Sequence, residues 1–380
     1  MTIINSVEVF PLKIPFIRSF KISRGYVGSR SKPGEHVYLK ITTSDGVVGW
    51  GEARPMPAWM YETMETVYTT LKKYVAPILI GRDPFQINRI MYELDRALAP
   101  VVSSGQPFAK SAVDIALHDL IGKILGTPIH VLLGGKNRNT VEMSALISGD
   151  PETVGEYGKE MWRKGYRCFK LKIMGDPEID YRLISSLKNS VPDAKIWMDA
   201  NQAYSSYSFT FLLKKISDID GIVCIEQPVP TYDFHGLSRI VSKSTIPIAV
   251  DESLFTHYDL LKLISMNALD ALVLKVAKSG LKTSLKISGL AEAAGISLMG
   301  SGMTESGVGF TASIHLYSTL NIVVPVDTNG PQFLKDLLVK DLEIEKAEVK
   351  VPDKPGLGIT VDEEKIEKYR VNIGGDFIEV

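Results

Sequence analysis

Cysteine and histidine are scarce in this 380-residue chain, which has two of the first and six of the second. Cys168 and Cys224 lack CxxC spacing, so neither a disulfide framework nor a zinc ribbon is indicated, and a reducing cytosol is the expected compartment. Charge of one sign is lacking too. Lys and Arg number 43 against 44 Asp and Glu, a formal net of −1, which gives no electrostatic case for nucleic acid or an anionic membrane. No apolar run approaches the roughly 18 residues of a membrane span. The opening MTIINSVEVFPLKIPF has no basic segment leading into a long apolar one, as a secretory signal would. Low-complexity stretches and long linkers are missing. A soluble, cytoplasmic protein that acts on a small molecule is expected.

What is present falls into two patterns. SVEVFPLKI and HVYLKITTSDGVVGWGEA alternate apolar and polar residues around the turn TSDG, predicting antiparallel strands and hairpins. Helical periodicity follows in METVYTTLKKYVAPIL, PFQINRIMYELDRAL and AKSAVDIALHDLIGKILG, the last stopped by Gly126 and Pro128. Residues 1–130 are therefore expected to form an α+β domain. From Thr140 the chain changes to short β-branched runs separated by amphipathic helices: TVEMSALI, RCFKLKIM, KIWMDAN, GIVCIEQP, IPIAVDE, ALVLKV, ISLMGS and NIVVPVD. Eight strands in strict alternation with helices predict a closed parallel barrel over residues 131–328, with a doubly wound open sheet as the other α/β solution. Residues 329–380 are expected to pack back on the N-terminal domain.

The polar residues at or near the C-terminal ends of these strands are Ser148, Lys172, Asp199, Glu226, Asp251, Lys275, Ser301 and Asp327, spaced 24 to 27 residues apart. One strand–loop–helix–loop unit per rung produces that spacing and puts all eight at one rim of the barrel, where enzymes of this fold build their sites. Asp199, Glu226 and Asp251 lie on three consecutive rungs in apolar surroundings, where an unpaired carboxylate is costly. Three converging carboxylates call for a cation. Oxygen donors without histidine or thiolate partners select Mg²⁺ or Mn²⁺ over Zn²⁺. Salt bridges to Lys170, Lys172 and Lys275 are the alternative at this stage.

In the run FKLKIM, Lys170 and Lys172 project from one face of a strand, because side chains alternate. Lys275, on the sixth rung, approaches the barrel axis from the side opposite Lys172 on the second. A substrate carboxylate between them would present its α-carbon to two amines. That suits removal of an α-proton by a lysine while the cation stabilises the resulting enediolate. Lys170 is expected to lower the pKa of Lys172 by like-charge repulsion. Cys168 and Cys224 share the inward parity and read as small core fillers.

Taken together, these residues resemble the enolase superfamily, and within it the muconate lactonizing enzyme subgroup. The motifs that carry the resemblance are SAVDIALHDLIGKILGTPIHVLLGG, the K-x-K at Lys170 and Lys172, MDANQAY, IEQPV, VDES, LVLKVAKSGL and KPGLGI. The resemblance implies an α+β capping domain, a modified (β/α)₇β barrel, Mg²⁺ held by Asp199, Glu226 and Asp251, and acid/base lysines at Lys172 and Lys275, a pairing general to that superfamily. The mandelate racemase subgroup shares the K-x-K strand but uses an Asp and a His on later strands. Here the seventh strand has no histidine, and His315 in the next helix reads as a packed residue. Dipeptide epimerases carry Asp-x-Asp after the eighth strand, whereas Asp327-Thr328-Asn329 lacks the second carboxylate.

Two segments of the cap, residues 16–32 and 53–63, are expected to cover the rim. Expected substrate contacts are Phe20, Arg24, Trp59, Ser148, Asn201, Ser301, Glu305 and Asp327. The expected activity is racemisation or epimerisation of an α-amino acid derivative (an N-acyl amino acid, a dipeptide or a proline-like carboxylate) by a homo-oligomer. A muconate-type cycloisomerase or a dehydratase is the enzymatic alternative, and a catalytically silent metal-binding barrel the non-enzymatic one.

Overall fold

The computed structural model describes residues 2–101 and 103–373. Its first layer is an antiparallel sheet of Ile4–Ile14, Gly34–Thr43 and Val48–Ala53, with Val9 opposite Leu39 and Leu39 opposite Gly51. Helix Pro107–Leu125 lies on this sheet. Its first sixteen residues are all buried, because one side meets the cap sheet and the other meets barrel helix Val276–Ala293, and a helix covered on both sides has no polar face. Close approach depends on VGWGEA: a Cβ on Gly49 or Gly51 would collide with the carbonyls of Ala116 and Ala112.

The run Met64–Leu79, expected as one helix, is broken. Met64–Thr69 is α-helical, Thr70–Val75 widens to a π-helix, and Ala76–Leu79 resumes the α form. Pro77 has no N–H for the regular ladder, and the widened turn accommodates the loss.

Seven parallel strands follow in sequence order: Ala145–Ile147, Cys168–Lys172, Lys195–Asp199, Ile222–Glu226, Ile248–Val250, Ala271–Leu274 and Ser297–Gly300. The expected first strand, TVEMSALI, is two elements. Thr140–Glu142 pairs antiparallel with Glu348–Lys350 of the tail, and only Ala145–Ile147 joins the barrel. The expected eighth strand is reduced to parallel bridges, Leu298 with Ile322, Ser301 with Asp327 and Val326 with Met143, which close the ring between last and first strands. Pro325 interrupts its ladder. The architecture is a modified TIM barrel under an α+β cap. Its inner layer below the rim contains Cys168, Trp197, Cys224, Ala249, Ala271, Val273 and Met299, with both thiols as buried filler. Among the described residues no helix is long and apolar enough to cross a membrane.

The tail reaches back to the cap: Leu12 bridges Arg370, and Lys40 forms a 2.7 Å ion pair with Glu363. Cap and barrel are also joined internally. Glu52, fully buried, accepts hydrogen bonds from His36 Nδ1, the Ser306 backbone and hydroxyl, and the Gly309 backbone, each at 2.7 Å. His315 is buried as expected, accepting from the His130 N–H and donating to the Leu357 carbonyl.

Burial lowers the His315 pKa from 6.5 to about 4. As pH falls, the unfolded chain takes up this proton first, so the contribution is complete above pH 6.5 and is lost on the way down to pH 4. A shift of that size corresponds to roughly 3 kcal/mol. His315→Gln should therefore flatten the fall of the urea midpoint between pH 6.5 and 4. Equal slopes in wild type and variant would refute the assignment.

Candidate active site

Barrel strand ends deliver the charged side chains. The register sets Lys172 beside Asp199 and Asp199 beside Glu226. Past the strands the backbone turns through the left-handed region at Asn201 (φ 43°), Gln202 (φ 68°) and Gln227 (φ 40°). Gln227 then ties the fourth rung to the fifth, its Oε1 accepting from the N–H groups of Asp251 and Ser253 at 3.1 Å.

Lysines and carboxylates interleave around the axis. Lys172 Nζ donates to Asp199 Oδ2 at 2.5 Å and to Asn201 Oδ1 at 3.0 Å. Across the barrel, Lys275 Nζ lies 2.6 Å from Asp251 Oδ2 and 4.5 Å from the centre of the Trp59 ring. Lys278 Nζ donates to Asp251 Oδ1 and to its backbone carbonyl at 2.6 and 2.7 Å. Lys170 Nζ sits at the centre, 2.9 Å from Glu226 and 3.2 Å from both Asp199 and Asp327, above the ring of Trp197. Three carboxylates thus surround the Lys170 ammonium. Burial alone would lower its pKa, but Glu226, Asp199 and Asp327 reverse that and hold it well above the usual range.

The carboxylates divide in two. Burial would raise Asp251, yet Lys275, Lys278 and Lys170 bring it well below the ordinary range, and Lys172 and Lys170 do the same for Asp199. Glu226 is pushed up by burial and by Asp199, and Glu252 by burial and by Asp251. In both, burial and a neighbouring carboxylate favour the neutral form, which a further positive charge would oppose. The donor set fits such a charge. Glu226, Asp251 and Glu252 bring one oxygen each within 4.8 Å of one another. Glu226 Oε2, Asp251 Oδ2 and Glu252 Oε2 are buried and receive no well-directed hydrogen bond. An all-oxygen set of this kind suits a hard divalent cation.

A narrow cavity of about 30 Å³ opens onto the cluster, room for about one water. Phe20, Ile22, Val27, Met56 and Trp59 of the cap line it together with Lys170, Lys172, Asn201, Lys275, Met303 and Asp327. Of the expected contacts, Phe20, Trp59, Asn201 and Asp327 meet here. Arg24 does not: its guanidinium donates to Gln202 Oε1 at 2.9 Å on the exposed side of the loop. Ser148 pins the loop instead, exchanging hydrogen bonds with the Lys21 backbone. Ser301 donates to Asp327. Glu305 accepts from the Met303 N–H at 2.6 Å and is raised by burial to about 7. Sequence reasoning missed Glu252, Lys278 and Gln227. Glu252 and Lys278 stood inside quoted motifs, VDES and LVLKVAKSGL, but one position or one helical turn from the strand-end residue that the rung spacing selects.

Interleaved acids and lysines thus stand at the C-terminal rim of a parallel barrel, under an α+β cap. The chain matches the family model for the mandelate racemase / muconate lactonizing enzyme N-terminal domain over residues 6–134 and the enolase C-terminal domain-like model over residues 154–365. It belongs to the mandelate racemase / muconate lactonizing enzyme family. The N-succinyl-L-Arg/Lys racemase of Bacillus cereus is 30% identical over 97% of this chain and 98% of its own. Its crystal structure superposes with a TM-score of 0.92, at 29% identity over 97% of this chain and 98% of that one. A chloromuconate cycloisomerase of Pseudomonas sp. strain P51 is 34% identical over 96% of this chain and 98% of its own. A dipeptide epimerase of Enterococcus faecalis, solved with Mg and L-Leu-L-Tyr, has a TM-score of 0.86 at 28% identity, covering 94% of this chain and 99% of that one. The protein is an isomerase.

Trp59 is 8% exposed, stacked on Phe108 and tilted against Phe255 as well as facing Lys275. It is both pocket wall and core. Trp59→Ala should cost about 3 kcal/mol, the scale of large-to-small core changes, and Trp59→Phe much less. A Trp59→Ala variant with wild-type denaturant stability would show that the packing around the ring contributes little.

Proposed function

We propose that the protein is a Mg²⁺-dependent racemase or epimerase of an α-amino acid whose amino group is acylated. The observation that carries this reading is that Lys172 and Lys275, from the second and sixth rungs, face one cavity while each is anchored to a different carboxylate. Two bases on opposite faces of one α-carbon suit inversion, since one removes the proton and the other returns it. Among the relatives, the N-succinyl-L-Arg/Lys racemase supports the choice of substrate class. A blocked amino group is further supported by Asp327, which already accepts from Ser301, Asn329 and Lys170. The cap contributes Phe20, Ile22, Val27 and Met56, surfaces that favour an apolar distal part of the substrate.

Of the converging carboxylates, Glu226 and Asp251 would hold Mg²⁺ together with Asp199, which stands beside Glu226 in the register; when bound it would supply positive charge to offset the negative charge that develops as the α-proton leaves. Lys278 grips Asp251 Oδ1, and Lys275 lies against Oδ2. Lys170 fastens Asp199, Glu226 and Asp327 around its ammonium. Closure of the cap excludes water from the two lysines. A cytosolic setting belongs to the same proposal, supported by the two buried free thiols.

Asp199→Asn, Glu226→Gln and Asp251→Asn should each weaken Mg²⁺ binding measured by calorimetry at least tenfold while the fold is retained. Unchanged affinity in all three would remove the ligand assignment. The lysines are tested by deuterium incorporation at the α-carbon, followed by NMR from each pure enantiomer of an N-acyl amino acid. Lys172→Ala should abolish exchange from one enantiomer and Lys275→Ala from the other, with racemisation lost in both. Wild-type exchange from one enantiomer only would favour the cycloisomerase or dehydratase reading.

A further inference from the structure

We infer that Glu252 is a positioning residue for the base Lys172, acting through the side-chain amide of Asn201; the inference rests on the two-base reading above. Asn201 Nδ2 donates to Glu252 Oε1 at 3.1 Å, and Gln202 Nε2 reaches the same oxygen at 3.4 Å. On its other side, Asn201 Oδ1 accepts from Lys172 Nζ at 3.0 Å. All three side chains are enclosed, with Glu252 at 6%, Asn201 at 3% and Lys172 at 6% exposure.

The direction of the Asn201 amide is the point on which the chain turns. Glu252 Oε1 accepts from both Asn201 Nδ2 and Gln202 Nε2, which fixes the NH₂ end of the amide toward itself and the carbonyl toward Lys172. Without that acceptor the amide is free to turn its NH₂ toward the lysine, where two donors would face each other.

The consequence concerns the lone pair of the base. A lysine that accepts an α-proton must be a neutral amine, with two N–H donors and one lone pair. In Lys172 the two donors are matched by two acceptors, Asp199 Oδ2 and Asn201 Oδ1. The remaining direction on the nitrogen, the one open toward the cavity, is left to the lone pair. Lys275 has no link to this amide. Its close contacts are Asp251, Trp59 and the Met303 sulfur; it meets Glu252 through charge but makes no hydrogen bond to Asn201, so the amide serves one of the two bases.

The backbone keeps the amide in place. Asn201 adopts φ 43° directly after the third rung, its N–H donates to Asp199 Oδ1 at 2.9 Å, and its carbonyl accepts from the Ser23 hydroxyl of the cap at 3.0 Å. The side chain thus stands on a tied loop, and Glu252 sets its last rotation.

The test uses the full-length enzyme loaded with Mg²⁺ and measures α-deuterium exchange from each enantiomer of an N-acyl amino acid. Glu252→Ala should slow exchange from the enantiomer that Lys172 serves by roughly 10- to 100-fold, the scale of a misplaced catalytic group. Exchange from the enantiomer that Lys275 serves should be slowed less, so that the ratio of the two exchange rates shifts by roughly tenfold. Glu252→Gln, which can still present a carbonyl to Asn201, should recover most of the loss, and Asn201→Ala should reproduce it. Equal slowing at both enantiomers, together with weakened Mg²⁺ binding by calorimetry in Glu252→Gln, would overturn the inference and make Glu252 a metal ligand. If wild type exchanges at one enantiomer only, the racemase reading fails by itself. The inference is then decided by whether Glu252→Ala slows the exchange that Lys172→Ala abolishes, and no slowing overturns it.

Discussion

The interaction on which the site depends is the ion lattice at the barrel rim, where Lys170, Lys172, Lys275 and Lys278 are threaded between Asp199, Glu226, Asp251, Glu252 and Asp327. All nine are less than a tenth exposed. Burying one such charge alone is prohibitive, and burying them together is tolerated only when each ammonium meets oxygen at close range. The barrel meets that condition by inward parity, since alternate residues of each strand point to the axis and parallel register brings successive rungs level. Four lysines against five carboxylates leave an excess of negative charge, concentrated at Glu226 and Glu252, whose protons are the hardest to remove. The same excess that makes the rim electrostatically incomplete gives it a cluster of oxygens that could hold a divalent ion.

The fold was legible where its physics is periodic. Strand ends recurring every 24 to 27 residues identify a barrel because each rung repeats one supersecondary unit, and the carboxylates of three successive rungs follow from that ruler. The reading failed where a single residue breaks a period. Pro77 divides a helix that apolar spacing alone makes continuous, and Pro325 reduces a strand to bridges. TVEMSALI has the composition of one strand but serves two sheets, a choice made by the distant tail segment Glu348–Lys350.

The site was legible in part for the same reason. Residues at strand ends were found by counting, whereas Glu252 and Lys278 act from the following loop and turn, where counting does not reach. Arg24 illustrates the opposite error. Charge and loop position pointed it at a substrate, but the direction of a long exposed side chain is settled by local acceptors, and Gln202 is nearer. The burial of Trp59 shows why a large aromatic in a cap loop is ambiguous from sequence: its ring area stabilises whichever surface it covers, pocket or core.

The attachment of Glu52 gives the cap two mechanical parts. Its sheet is bound to the segment after the seventh strand by hydrogen bonds from Ser306 and Gly309 to one buried carboxylate, which His36 of the same sheet also contacts. Lifting the sheet as a body would strip that carboxylate of its Ser306 and Gly309 partners at once. Residues 16–32 are secured through a separate set of partners, Arg18 with Glu160, Lys21 with Asp150 and Ser148, Ser23 with Asn201, Arg24 with Gln202 and the Ile17 N–H on the Phe333 carbonyl, none of which involves Glu52. Evolution is thereby offered a separable module. Substitutions in one short loop can reshape the cavity wall at Phe20, Ile22 and Val27 while the anchored sheet is left untouched.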